Sequence, residues 1–159
     1  MRVVSREIGE RDVMEGILRD CPVGRLGTVG GDGYPSVKPL NFVYLDGRIY
    51  FHSAQSGEKI DDMARDERVC FEVDLPTTFV KAEEHPCAAD QLYRSVIIRG
   101  MAHLVGEREE RLKALKGLMN KYQPEGGYGA FLEEKLAMTA VVRIDIVRMT
   151  GKERLAASG

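Results

Sequence analysis

Residues 35–59 carry the pattern that decides the fold: PSVKPLNFVYLDGRIYFHSAQSGEK. An apolar run over residues 35–45 is followed by Asp46-Gly47 and by a second alternating run over residues 48–53. Asp-Gly between two such runs is the strongest short-range signal for a β-hairpin. The segment therefore predicts two antiparallel strands, followed by a helix over residues 57–66 with Ser56 as its N-cap.

The rest of the chain repeats this alternation of short strands and amphipathic helices. Further strands are predicted at residues 24–29, 69–74, 93–105 and 140–149, and helices at residues 10–20, 107–122 and 131–138. Six short strands with turn-rich connections favour an antiparallel barrel over a doubly wound parallel sheet. We expect the helices to cap the barrel or pack on its outside, and Val96, Ile98 and Leu104 to share one strand face.

Length and composition restrict the class of protein. The chain has 159 residues, which predicts one domain over residues 1–159, and its formal charge is 23 − 25 = −2. This charge gives no broad electrostatic attraction to nucleic acid. No apolar run reaches the roughly 18 residues of a membrane helix, and the N-terminus has no signal-peptide pattern. Three cysteines, an odd number at wide spacing, favour a reducing cytoplasm.

Three segments have residues suited to binding an anionic ligand. Ser56 and Lys59 open a predicted helix, where free N–H groups, a hydroxyl and an ammonium would together hold a phosphate; a solvated lysine beside an ordinary cap is the alternative. Pro39 within a strand implies an edge or a backbone that faces a ligand. Arg94 and Arg99 are either anion-binding or ordinary exterior charges, and the small Ser95 between bulky neighbours suits a close ligand contact.

An ordered set of motifs resembles one known family. Pro-x-Val-x-Pro-Leu-Asn-Phe precedes the Asp-Gly hairpin, and Tyr-Phe-His-Ser-Ala, Gly-x-Lys, Arg-Val-Cys-Phe-Glu-Val and Tyr-x-Ser-Val-Ile-x-x-Gly follow it. This order is similar to that of the FMN-binding split-barrel family, which includes pyridoxamine 5′-phosphate oxidase. It is most similar to the nitroimidazole-resistance reductase branch, which pairs Pro-Leu-Asn-Phe with a histidine at the end of the hairpin strand.

The resemblance implies a mainly β, six-stranded split barrel with flanking helices, forming a homodimer with FMN at the subunit interface. It places cofactor contacts on two strands and a helix start: Val37, Lys38, Pro39, Leu40, Asn41, His52, Ser53, Ala54, Lys59 and, from the long strand, Ser95. Lys59 would bind the phosphate. His52 would face the flavin as a substrate contact or proton donor, with a structural strand-end histidine as the alternative.

The expected function is flavin-dependent reduction of a small nitro- or quinone-like compound in a cytoplasmic enzyme. Glu58 stands where pyridoxamine-phosphate oxidases have an arginine. The resemblance therefore supports flavin binding by this chain more than it supports oxidation of vitamin B6. The alternatives are a flavin store or redox sensor, an oxidase of the pyridoxamine type, and a barrel that binds haem or a flavin derivative instead, with His52, His85 or His103 as ligands. No metal site is predicted, because His85-Pro86-Cys87 has no second ligand pair at zinc spacing.

Overall fold

The computed structural model describes residues 4–75 and 78–155. Its main element is a strongly curved antiparallel sheet of eight strands, with two further short strands paired beside it. The strands are β1 Glu7–Ile8, β2 Gly24–Val29, β3 Pro35–Leu40, β4 Val43–Leu45, β5 Arg48–Ala54, β6 Arg68–Leu75, β7 Phe79–Val80, β8 Asp90–Gln91, β9 Tyr93–Leu104 and β10 Thr139–Arg154. The helices are α1 Arg11–Asp20, α2 Glu58–Arg65, α3 Arg108–Tyr122 and α4 Glu133–Met138, with 3-10 turns at Val4–Arg6 and Pro86–Ala88.

The strand order is β3-β2-β6-β9-β10-β5-β4, and β1 pairs with the far end of β10. The long strand β10 joins the two halves, because it pairs with β5 over residues 139–145 and with β9 over residues 142–154. A bulge at Val147 interrupts the second ladder. The split barrel with flanking helices is therefore confirmed, while the described residues contain ten strands instead of six.

The hairpin turn forms as its sequence predicts. Asp46 and Gly47 both have positive φ, 49° and 77°. Positive φ at both central residues is the requirement of a type I′ turn, whose twist matches that of the flanking strands. Register pairs Val43 with Tyr50 and Leu45 with Arg48 on either side of it.

The strand expected over residues 35–45 is in fact two strands, and Phe42 lies at the break. Its backbone N–H donates to the Tyr122 hydroxyl of α3 at 2.9 Å instead of joining a ladder. That hydroxyl also lies 3.0 and 2.8 Å from the carbonyl oxygens of Phe42 and Pro22, to one of which it donates. The Phe42 ring is buried edge-on against Phe71, 4.9 Å between centroids. This anchor sends β3 to one end of the sheet order and β4 to the other.

Two apolar clusters hold the fold. One fills the barrel interior and includes Phe42, Phe51 and Phe71. The other lies between α3, α4 and the outer face of β4, β5 and β10, with Leu115, Leu118 and Leu136 at its centre. The helices α3 and α4 therefore pack on the outside of the barrel, as expected. Leu104 is an exception to the predicted strand pattern: at the last position of β9 it is 59% exposed, whereas Val96 and Ile98 are fully buried.

A buried carboxylate fixes α2 to the barrel. Asp62 is almost fully enclosed, accepts a hydrogen bond from the Thr28 hydroxyl at 2.8 Å and pairs with Arg65 at 3.3 Å. Arg65 in turn donates to the Val29 carbonyl oxygen. These bonds set the direction of α2 and hence the position of its first turn. In the described part of the chain, no helix combines the length and the apolar character needed to span a bilayer.

Candidate functional site

Asn41 and His52 lie where β4 and β5 separate. Continuing the Val43–Tyr50 register by two residues would set Asn41 opposite His52, but pairing stops at Val43. From that point β3 turns away, while β5 runs on to Ala54 with no partner on this side in the part of the chain that the structure describes. The two open strand edges therefore border one gap, which we call the β3–β5 gap: Pro35–Leu40 on one side and residues 52–54 on the other.

The side chains on the β5 side of the gap alternate as predicted. Phe51 is fully buried and Ser53 is 8% exposed, whereas His52 and Ala54 face outward. The predicted outward direction of His52 is therefore confirmed by the burial pattern of β5. Its imidazole reaches the surface on the side covered by α3 and α4.

The outer edge of β3 offers backbone groups to a ligand. Among the strands of residues 4–75 and 78–155, β3 pairs only with β2, so half of its N–H and C=O groups face away from the sheet. Proline has no N–H to donate to the β2–β3 ladder. Pro35 and Pro39 therefore stand at positions whose backbone groups face away from β2. Val37, of the same parity, then has the free N–H of this edge, and its side chain is 63% exposed.

Lys38 connects β3 to the start of α2. Its ammonium lies 3.0 Å from a Glu58 carboxylate oxygen and also donates to the Ser36 hydroxyl. The Ser36 hydroxyl donates in turn to Glu58 at 3.4 Å. The Glu58 side chain is 64% exposed, so solvent screens the ion pair. Such a pair contributes on the order of 0–1 kcal/mol to the free energy of unfolding. The contact crosses the β3–β5 gap at the end where α2 begins.

The first turn of α2 has unpaired donors. The N-cap is Gly57 and not the predicted Ser56. Its φ of 124° is a conformation that glycine adopts far more readily than other residues. Among the described residues, no side chain caps the helix. The N–H groups of Glu58 and Lys59 have no acceptor among the described residues, since the first bonds run from Ile60 and Asp61 to Gly57. Within the described residues Lys59 forms no ion pair. Free N–H groups, the helix dipole and one unpaired ammonium together suit a phosphate.

The Ser53 hydroxyl tests whether these residues fit a bound cofactor. Among the described residues, it is the single buried side-chain oxygen or nitrogen without a hydrogen-bond partner. A buried hydroxyl left unpaired costs about 1–3 kcal/mol, so such a group usually has a partner. It lies on β5 between two exposed gap residues, five positions before α2. The donor set thus fits a ligand that has both acceptor atoms and a phosphate.

Ser95 is not brought to the gap. It lies on β9 opposite Asp74 and Lys152, three strands from β3, which corresponds to about 14 Å at the usual strand spacing. Arg94 forms an ion pair with Glu153 at 3.0 Å. Its charge is therefore less available to a phosphate than that of an unpaired cation. Arg99 lies on the exposed outer face of the sheet. The cofactor role of Ser95 stays a prediction that one chain by itself does not support.

Two features of this region are not predicted by the sequence. The Lys38–Glu58 ion pair joins residues 20 positions apart, and only the separation of β3 from β4 brings them together. A pocket of about 220 Å³ lies beside His52, enclosed by α3 and α4. The leucine spacing of these helices predicts that one face of each is buried, but it does not predict a pocket there. Another cavity, about 560 Å³, lies elsewhere, between α2 and the end of β9.

Comparison with known proteins identifies the family. The profile of the pyridoxamine 5′-phosphate oxidase family matches residues 10–153. The chain belongs to this family. No curated protein matches it. Among solved structures, a candidate 5-nitroimidazole antibiotic resistance protein from Bacteroides thetaiotaomicron is 25% identical, with a TM-score of 0.81 over 92% of this chain and 85% of that one.

Other structures of the same fold are named for flavins. An FAD-binding protein from Mesorhizobium loti is 25% identical, with a TM-score of 0.67 over 94% of this chain and 98% of that one. The flavocytochrome Anf3 from Azotobacter vinelandii has a TM-score of 0.87 at 20% identity, over 98% of this chain and 72% of that one. The family member thus has a split-barrel fold shared with flavin-binding proteins.

Proposed function

We propose that the protein binds FMN in the β3–β5 gap and uses it to reduce a small nitro- or quinone-like compound. The observation that carries the proposal is the uncapped first turn of α2 at one end of the gap, where Lys38 contacts Glu58 and Lys59 is the next residue of the turn. A phosphate is the anion that two ammonium groups and free N–H groups suit best. Membership of the family and the flavin-binding neighbours support the flavin.

Each residue of the gap has a role in this proposal. Lys59 and the α2 N–H groups hold the phosphate, and Lys38 turns toward it when its weak pair with Glu58 opens. The Val37 N–H and the backbone of Pro39, Leu40 and Asn41 lie along the ring edge and ribityl chain, and Ser53 gains a partner there. Ala54 leaves room for the chain to pass. His52 stands beside the substrate, where an imidazole can donate a proton. Bound FMN supplies hydride transfer.

The active unit in this proposal is a homodimer. The outer face of β2, β3 and β9 exposes Val29, Val37 and Ile97, and the β10 bulge exposes Val147. The same face also has the Arg25–Glu72 ion pair, so its apolar side chains are interspersed with charges. The dimer therefore rests on the family resemblance and on the twofold pair being the commonest oligomer. Ser95 lies on the same face as Val37, so a partner could bring a flavin and Ser95 together. The three unpaired cysteines agree with a cytoplasmic location.

Absorption of the purified protein tests the cofactor. Maxima typical of oxidised flavin are expected, and a dominant Soret band would replace FMN by haem. Turnover of NADH with a nitroaromatic acceptor then separates an enzyme from a flavin store. The matched variant is His52→Ala, which is expected to keep FMN and lower turnover by about 10²-fold or more, the range for a lost general acid. Unchanged turnover would reduce His52 to a structural residue.

A further inference from the structure

The pocket beside His52 has an apolar body and a polar mouth. Its walls come from α3, α4 and Phe131, and its polar groups are the His52 imidazole, the Lys135 ammonium and Thr139. Its volume of about 220 Å³ compares with the roughly 150 Å³ that an apolar cavity needs to hold benzene. The space therefore fits one aromatic ring with a small substituent.

The helix α4 presents one face to this pocket. Lys135 and Leu136 of α4 line the pocket together with two flanking residues, the N-cap Leu132 and the first residue of β10, Thr139. Glu133 and Glu134 lie off that face, and Glu133 is paired with Arg108. In the described residues neither Lys135 nor His52 has an ion-pair or hydrogen-bond partner through its side chain. The mouth therefore offers the Lys135 and His52 side chains without a partner among the described residues.

The same helix is held firmly in place. Arg111 of α3 donates to the carbonyl oxygens of Leu136 and Thr139, the latter at 2.7 Å. Gln55, just beyond β5, donates to the Ala137 carbonyl oxygen. These bonds tie α4 to both α3 and the end of β5. The pocket therefore adjoins the β3–β5 gap, and His52 lines both.

We infer that this pocket binds a monocyclic aromatic carboxylate, with its ring between Phe131 and the leucines and its carboxylate at Lys135. Apolar walls and a few placed polar groups are the general composition of a small-molecule site. A carboxylate supplies the acceptor that Lys135 and His52 lack. That such a molecule is also the substrate class of the flavin chemistry rests on the proposed function, because His52 belongs to both sites.

Benzoate and benzyl alcohol are the probes, because neither can be reduced by a flavin and only benzoate has the charge. Titration of the ¹⁵N-labelled protein is expected to give saturable benzoate shifts at Lys135 and Thr139 amides, with Kd on the order of 1 mM for a ligand of this size. Lys135→Gln should weaken benzoate about tenfold and leave benzyl alcohol unchanged. Equal effects on both probes, or no saturation with benzoate, would overturn the inference.

A pair of rim variants tests the location. Leu132 is 56% exposed at the mouth and Leu104 is 59% exposed on β9, away from it. Leu132→Trp should fill the mouth and reduce the affinity for both probes at least tenfold, while Leu104→Trp leaves it unchanged. Equal behaviour of the two variants would place benzoate elsewhere and refute the assignment.

The flavin-loaded protein tests the substrate class separately. It should prefer 4-nitrobenzoate to nitrobenzene about tenfold in kcat/KM, and Lys135→Gln should remove that preference. Benzoate binding without any flavin uptake would refute the proposed function and keep the pocket. Turnover of nitroaromatics without benzoate binding and without a preference for 4-nitrobenzoate would refute the pocket and keep the proposed function.

Discussion

Charge at the first turn of α2 offers the sharpest test of the cofactor site. Lys59 and Glu58 are adjacent, and both lie beside free N–H groups. Lys59→Ala should weaken FMN binding by about tenfold to a hundredfold, because a hydrogen bond to a charged group contributes about 1.5–3 kcal/mol. Riboflavin, which has no phosphate, should bind the variant as well as it binds the wild type.

Glu58→Gln should act in the opposite direction. A carboxylate about 6 Å from a doubly charged phosphate is repelled by about 1.4 kcal/mol in water, which corresponds to about tenfold. The Lys38–Glu58 pair that the substitution breaks is exposed and contributes at most about 1 kcal/mol. We therefore expect tighter FMN binding, unchanged riboflavin binding and a small change in stability.

Quenching of flavin fluorescence measures both affinities, at about 0.1 M salt so that charge effects at short range are kept. Lys113→Ala is the control, since Lys113 is an exposed lysine paired with Asp46 on the far side of the hairpin. The reasoning is refuted if Lys59→Ala weakens FMN and riboflavin equally, or if Glu58→Gln weakens FMN. Either result would move the phosphate away from α2, with Arg99 as the next candidate.

Three further predictions concern assembly and stability. Light scattering should give the mass of two chains at micromolar concentration, and a monomer would contradict the interface site. Burial lowers the pKa of Lys121 to about 8 from 10.5, so the unfolded state holds an extra proton between these values and this lysine adds stability as pH rises from 8. Between pH 7 and pH 10 the free energy of unfolding of the wild type should gain about 2–3 kcal/mol that Lys121→Met does not gain, as measured by urea unfolding. A constant difference between the two proteins would show an unshifted lysine. Gly100→Ala should destabilise by about 1–3 kcal/mol in the same assay, because its Cβ would lie 2.5 Å from Ile144 Cγ2 and 2.7 Å from the Asp145 carbonyl oxygen, and a neutral result would mean that β9 and β10 can separate there.

The sequence by itself determined the elements that depend on local pattern. Asp46-Gly47 specified the hairpin, and the alternation over residues 48–53 specified that Phe51 is buried and His52 faces outward. These features follow from backbone sterics and a period of two, which neighbouring residues fix without distant contacts. The order of motifs along the chain was also enough to identify the family.

Tertiary structure decided what lies across the β3–β5 gap. Residues 35–45 have a continuous strand pattern, and only the Tyr122 hydroxyl, 80 positions from Phe42, supplies the bonds that divide it. That break brings Lys38 against Glu58 and leaves β3 with a free edge. The same packing leaves a pocket between His52 and α4. Sequence periodicity determines which face of an element is buried, whereas the gaps between elements depend on how those faces meet.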